Sequence, residues 1–239
     1  MHYICFDSCE ERIQVMSIGD NLADYLHNNK VNNIIFMDKS ARLGYFVLKN
    51  SWKKKYPDFK LPNMYFTNPR GYSPTLDRPT RKIADEFNNI YKSLSENKNS
   101  SILLFDVCLH SGNAIRLILK TMKIAGYTDV RVGLVQPQYG AHDISIDFLA
   151  SDTAPIGRCR PFGTGGLVVT NNTSVLSSGY VSSDNDKPTQ ELRQAERQVE
   201  NNYTLMLRKE IKSMYEHGLL YSEAKDEYVL EDIFSSEDE

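Results

Sequence analysis

The chain has 239 residues, of which 41% are hydrophobic and 25% charged, and its formal net charge is −3. No apolar run approaches the length of a membrane span or a signal peptide, and the four cysteines have neither metal-ligand spacing nor the density of a secreted scaffold. Eight acids and one lysine give residues 223–239 a charge of −7 and leave the remainder at about +4, too little to argue for nucleic acid. We therefore expect a cytoplasmic protein without membrane or nucleic-acid partners.

The N-terminal quarter predicts a helix followed by a strand and a polar turn. Apolar residues recur at helical spacing over residues 9–30, with a possible break expected at Gly19. Residues 34–37 form a short apolar run typical of a buried strand, and residues 43–48 begin the next helix. Between them lies the turn D-K-S-A-R, residues 38–42.

This turn carries the first candidate site. Lys39, Ser40 and Arg42 follow the carboxyl end of the strand, where two cations and a hydroxyl could bind a pyrophosphate. The alternative is that Lys39 and Arg42 are solvated and that Asp38 caps the helix.

Residues 51–77 are predicted to be a long connection that holds a brief strand at 64–67. Residues 68–79 are typical of a mobile loop, which in a compact domain is usually functional or disordered. A helix is predicted over residues 80–97, where four apolar residues share one side.

The most informative stretch is residues 101–135. An apolar run at 102–105 predicts a buried strand, Asp106 closes it, and a turn leads into a helix that Gly126 is placed to end. A second strand is predicted at 130–135. In such units a ligand binds where a strand's carboxyl end meets a helix N-terminus, and free amide groups there favour phosphate. The candidate phosphate-binding residues are His110, Ser111, Gly112, Asn113 and Ala114. A plain strand-to-helix turn with Ser111 as N-cap is the alternative.

This stretch resembles the PRPP-binding signature of the type I phosphoribosyltransferases. With Ser111 and Gly112 aligned, Asp106 matches the first acidic position, whereas Val107 replaces the second acid and Ala114 the terminal Thr. The resemblance implies that Asp106 holds the ribose hydroxyls and that residues 110–114 cradle the 5′-phosphate. It further implies a catalytic role for Asp106 and His110, the latter as a general base, and Mg²⁺ as cofactor, bound through PRPP with Asp106 as the candidate neighbouring residue.

The same resemblance assigns roles elsewhere in the chain. It places pyrophosphate beside Lys39, Ser40 and Arg42, and it makes Arg70 and Tyr72 candidates on a flexible loop that folds over PRPP. The implied fold is α/β, a parallel sheet flanked by helices, with an N-terminal helix and a long C-terminal helix. The implied partners are PRPP and a nucleobase-like or other nitrogen acceptor.

The last part of the chain predicts one further strand at 144–150, a glycine- and arginine-rich loop at 157–166, and a helix at 188–217 that Gly218 ends. We expect a phosphoribosyltransferase-like domain over residues 1–170, a polar loop at 171–187, and a C-terminal helix with an acidic tail at 188–239. This helix could pack on the same domain or form a homodimer interface.

Three functions fit the sequence. The first is transfer of a 5-phosphoribosyl group to a nitrogen nucleophile with release of pyrophosphate. The second is a non-catalytic sensor of PRPP or a nucleotide, favoured by Val107 and Ala114. The third is an aspartate-nucleophile phosphatase, suggested by the strands that end in Asp38 and Asp106, but Ser40 and Cys108 stand where its D-x-D motif needs a second carboxylate.

Overall fold

A parallel sheet forms the centre of the protein in the computed structural model, which describes residues 6, 9–37, 41–67, 81–109, 111–136, 140–152, 180–181 and 202–218. Its strand order is β5-β4-β3-β1-β2-β6, and only the β2–β6 pairing is antiparallel. The strands are β1 (Asn33–Met37), β2 (Asn63–Thr67), β3 (Ile102–Asp106), β4 (Val130–Leu134), β5 (Phe148–Leu149) and β6 (Tyr180–Val181). The three central strands are buried almost end to end, because their runs of Ile, Leu, Met and Phe are covered on both faces.

Helices cover both faces of the sheet. The helices α1, α2 and α6 pack together, and α3 packs against α5 and α4. Their bounds are α1 (Cys9–Asn28), α2 (Arg42–Lys55), α3 (Arg81–Ile90), α4 (Lys92–Ser95), α5 (Asn113–Ala125) and α6 (Asn202–His217). Phe36 and Phe105 contact the α2 side at Gly44, whereas Tyr65 contacts Tyr91 on the α3 and α4 side. The predicted fold class, a parallel α/β sheet flanked by helices, is confirmed.

The strand order creates a crevice at one edge of the sheet. From β1 the chain first moves outward to β2 and then returns past β1 to β3, so the connections that follow β1 and β3 diverge. Ligands of open α/β sheets bind at this kind of switch point, outside the carboxyl ends of the strands. Both predicted binding turns, the one after β1 and the one after β3, begin at this point.

The first helix differs from its prediction at Gly19, where α1 continues unbroken. Gly19 is buried, and a Cβ there would overlap the Tyr215 hydroxyl and lie 3.0 Å from Val47. The glycine therefore permits close packing of α1 against α2 and α6 instead of breaking the helix.

Three other boundaries also differ from the sequence predictions. The helix α2 extends to Lys55, so the start of the predicted connection at residue 51 is helical and its three consecutive lysines are exposed. The helix predicted over 80–97 is interrupted at the buried Tyr91, whose hydroxyl donates a hydrogen bond of 2.5 Å to the carbonyl of Phe66. Of the strand predicted over 144–150, only Phe148–Leu149 pairs with β4.

The C-terminal helix packs on the same core as α1 and α2. It ends as predicted, because Gly218 adopts a φ of +79° and donates its N–H to the carbonyl of Met214. Residues 188–201 of the predicted helix lie outside the described residues, as do the acidic tail and nearly all of the polar loop at 171–187. None of the described helices is long and apolar enough to cross a membrane.

Candidate functional site

Asp106 stands at the switch point as the last residue of β3. It pairs with Leu134 of β4, and in the neighbouring strand Phe36 pairs with Phe105, which puts Asp106 level with Met37. The Asp106 carboxylate is half-buried, and its Oδ1 accepts a hydrogen bond of 2.7 Å from the N–H of Val107. Because side chains alternate along a strand and Phe105 faces α2, Asp106 faces the α3 and α5 side.

The turn after β3 leads into α5 through a left-handed glycine. Gly112 is the N-cap, with a φ of +69°, and none of the described side chains caps the first turn of the helix. Ser111 does not take the N-cap role that the plain-turn alternative gave it, since its hydroxyl accepts only a 3.5 Å contact from the N–H of Asn113. Apart from this long contact, the first-turn amide groups of α5, which carry partial positive charge, have no side-chain cap within the described part of the chain.

Gly112 also packs closely against a later segment of the chain. A Cβ at this position would lie 2.5 Å from the Cβ of Ala141 and 2.8 Å from Ile144. Both the backbone conformation and the lack of space consequently require glycine here.

Arg116 connects the same two segments. Its Nη1 donates hydrogen bonds to the carbonyl of Ser111 at 2.5 Å and to Oδ1 of Asn113 at 3.1 Å. Its Nε and Nη2 donate to the two carboxylate oxygens of Asp143, at 2.9 and 2.5 Å. The hydrogen bond from Arg116 lowers the pKa of Asp143, and the pair raises the pKa of Arg116. Arg116 thus fixes the turn to the segment that follows β4.

Sequence reasoning missed Arg116 and Asp143. The position of Arg116 was readable, because it lies in the first turns of the predicted helix and can fold back over its N-terminus. No local pattern marks Asp143, which is 27 residues away.

Val107 occupies the second acidic position of the two-acid motif, and Cys108 occupies the position where a D-x-D motif needs its second carboxylate. Val107 is 5% exposed and its carbonyl accepts the N–H of Gln136, so a carboxylate at this position would be buried at a cost. Burial raises the pKa of the Cys108 thiol, the charge of Asp106 raises it further, and a hydrogen bond with Gln136 opposes both effects. A protonated thiol is a poor nucleophile, so the described geometry does not favour a thiolate at this site.

The two predicted turns follow strands that end at the same edge of the sheet, and the structure describes only part of each turn. Arg42 begins α2 directly after Ala41, whose N–H donates to the carbonyl of Met37 at 3.0 Å, although the Arg42 side chain is outside the described part. Ser111 and Asn113 are exposed and Ala114 is half-buried. The remaining predicted residues lie outside the described residues, namely Lys39, Ser40, Arg70, Tyr72 and His110.

A resident metal centre is not formed by the described side chains, among which there is no group of three or more His, Cys, Asp or Glu residues suited to a metal ion. Mg²⁺ is commonly held by one or two carboxylates together with substrate phosphates. Asp106, as the described carboxylate at the end of β3, fits that second arrangement.

The fold and site therefore define a doubly wound α/β protein with a carboxylate and an uncapped helix N-terminus at its switch point. In solved structures the chain is similar to hypoxanthine phosphoribosyltransferases. The Trypanosoma cruzi enzyme matches with a TM-score of 0.39 and 12% identity, over 59% of this chain and 75% of that one. The Staphylococcus aureus enzyme matches with a TM-score of 0.38 and 10% identity, over 58% and 73%.

A hypoxanthine-guanine-xanthine phosphoribosyltransferase also matches, with a TM-score of 0.37 and 16% identity, over 58% of this chain and 73% of that one. No protein-family model and no curated protein matches the sequence. At this level of similarity, function has to be argued from the chain's own residues.

Proposed function

We propose that the protein binds PRPP with Mg²⁺ and transfers its 5-phosphoribosyl group to a nitrogen nucleophile, with release of pyrophosphate. One observation carries the proposal: Asp106 and the uncapped N-terminus of α5 lie together at the switch point of the sheet. A carboxylate can accept hydrogen bonds from sugar hydroxyls, and free amide groups at a helix N-terminus suit a phosphate. Ribose 5-phosphate presents both groups.

In this proposal each part of the site has one task. Asp106 accepts hydrogen bonds from the ribose hydroxyls, and residues 110–114 surround the 5′-phosphate. Arg116 and Asp143 hold the phosphate turn in place, while Lys39, Ser40 and Arg42 attract pyrophosphate from the turn after β1. Arg70 and Tyr72 act from the loop after β2.

The reaction exchanges one bond at C1′ for another. The bond from C1′ to the pyrophosphate oxygen breaks and its electron pair leaves with pyrophosphate, while the acceptor nitrogen forms a bond to C1′ and loses a proton. His110 is proposed as the base that takes this proton, since imidazole titrates near neutral pH. Mg²⁺ supplies charge neutralisation at the phosphate oxygens when bound, and the protein mainly contributes positioning and electrostatic stabilisation.

A second candidate function is a non-catalytic regulator that binds PRPP or a nucleotide. Its support is specific: the second acidic position of the motif is filled by the buried Val107, and the terminal Thr by Ala114. Ligand binding without pyrophosphate release would identify this function. For both candidate functions we propose that the protein acts in the cytoplasm, because both depend on an intracellular ligand.

The test is isothermal titration of Mg·PRPP into the wild type, Asp106→Asn and Asp58→Asn. Asp58 is an exposed carboxylate on the turn before β2, at the opposite edge of the sheet, and it controls for the loss of charge. We expect micromolar binding that Asp106→Asn weakens sharply and Asp58→Asn leaves unchanged, followed by pyrophosphate release with the right acceptor. A wild type that does not bind PRPP would remove the transferase and the PRPP-binding form of the regulator.

A further inference from the structure

The proposed function assigns no role to the hydroxyl of Thr67. Thr67 is the last residue of β2, and its side chain is completely buried. Its Oγ1 has no hydrogen-bond partner within the described structure. A buried hydroxyl without a hydrogen-bond partner lowers the stability of the fold. Such a group therefore suggests that a bound ligand or water supplies the missing hydrogen bond.

The position of Thr67 relates it to Asp106. Met37 of β1 pairs with Thr67 of β2 on one side and lies level with Asp106 of β3 on the other. The three residues therefore form a row across β2, β1 and β3. Tyr65, two residues before Thr67, contacts Tyr91 and Ser93, which shows that this set of β2 side chains faces the α3 and α4 side. Thr67 therefore shares the face of Asp106, at about 9.5 Å or two strand spacings.

Two serine hydroxyls, those of Ser101 and Ser213, are also buried without a partner among the described residues. Ser101 precedes β3 at the amino edge of the sheet, and Ser213 lies in α6. Thr67, in contrast, lies at the carboxyl edge, beside the switch point.

We propose that Thr67 is a ligand-contacting residue of this site and that its hydroxyl binds the pyrophosphate portion of the ligand, directly or through one ordered water. The inference rests on the proposed function. Asp106 and the N-terminus of α5 occupy the β3 end of the row and suit the ribose phosphate portion. We therefore assign the Thr67 hydroxyl, at the β2 end of the row, to the pyrophosphate, which is the charged group on the other side of C1′. Phosphate oxygens accept hydrogen bonds from hydroxyls.

The experiment compares Thr67→Val with the wild type. Valine has nearly the shape of threonine and removes only the hydroxyl, so the ligand-free variant should unfold at the same or higher urea concentration. Affinity for Mg·PRPP and for magnesium pyrophosphate should fall about tenfold to hundredfold, as expected for one lost hydrogen bond to a charged oxygen. Affinity for ribose 5-phosphate should not change.

Thr121→Val is the matched control. Thr121 is also completely buried, but its hydroxyl donates to the carbonyl of Leu117 at 2.8 Å within α5. Its replacement should leave the affinity for all three ligands unchanged.

The outcomes separate this inference from the proposed function. Unchanged pyrophosphate affinity in Thr67→Val, or a loss of stability in the ligand-free variant, would overturn the role of Thr67, the latter because the hydroxyl would then have a protein partner. A wild type that binds pyrophosphate through Thr67 but not PRPP would support Thr67 and remove the phosphoribosyl proposal. A wild type that binds none of the three ligands would overturn both.

Discussion

The guanidinium of Arg116 and the carboxylate of Asp143 form a two-point ion pair, with Nε–Oδ2 at 2.9 Å and Nη2–Oδ1 at 2.5 Å. The pair joins the first turns of α5 to the segment after β4, and the same guanidinium holds the carbonyl of Ser111. Side chains that position a binding turn affect ligand affinity even when they do not touch the ligand.

We expect Asp143→Asn to weaken Mg·PRPP binding by about threefold to tenfold, because the turn loses its anchor. Stability should change little, since Asp143 is 63% exposed and exposed ion pairs contribute little to folding. Titration calorimetry measures the affinity. Asp129→Asn is the control, because Asp129, the residue before β4, forms a comparable surface pair with Arg131 of β4, away from the site. Equal affinities for the two variants would contradict a positioning role.

The same pair has a defined pH range. Arg116 lowers the folded-state pKa of Asp143. The stabilisation that the ion pair provides is therefore fully present above the unfolded-state pKa of about 4, and it is lost as the pH falls through the lower folded-state pKa. The difference in affinity between the wild type and Asp143→Asn should therefore be constant near neutral pH and shrink in acid.

Gly112→Ala should destabilise the protein more than Gly218→Ala. Both glycines have positive φ, which costs an L-residue about 1–2 kcal/mol. Of the two, only Gly112 is also enclosed, by Ala141 and Ile144, and overpacking adds about 1–3 kcal/mol, whereas no described atom lies within 4 Å of a Cβ at Gly218. Urea denaturation measures both variants. An equal loss in the free energy of unfolding for Gly112→Ala and Gly218→Ala would contradict the close contact between the turn and residues 141–144.

Tyr215 should make the fold sensitive to alkali. Its hydroxyl donates to the carbonyl of Met16 at 3.0 Å, and burial, more than the nearby charge of Asp20, raises its pKa. A raised folded-state pKa favours the neutral phenol, so stability is retained up to the unfolded pKa of about 10 and falls as the pH rises further.

Tyr215→Phe should cost about 1 kcal/mol at neutral pH, the contribution of a typical hydrogen bond, and should flatten the alkaline decline. The measurement is the free energy of unfolding from pH 7 to 11. Tyr127→Phe is the comparison, because burial raises the pKa of Tyr127 as well, but its hydroxyl bonds to Asn88 on the other face of the sheet. A wild type equally stable at pH 9 and pH 11 would refute the prediction.

Much of the fold was predictable because its signals are local. The run from Ile102 to Phe105, the apolar spacing that begins at Ile115 and the stop at Gly126 each lie within a few residues, and the structure reproduces them. Gly19 shows the limit of such reasoning. A glycine inside a helical pattern is a weak point in isolation, yet here the approach of Val47 and Tyr215 makes it a packing position.

The sequence by itself determined the strand–turn–helix unit at Asp106 and Gly112, because periodicity, strand length and glycine chemistry are properties of neighbouring residues. The tertiary structure alone decided that Asp143 meets Arg116, that Ala141 requires a glycine at 112, and that Thr67 lies level with Asp106. These relationships depend on strand order and register, which arise from contacts between distant parts of the chain and leave no periodic trace in either partner.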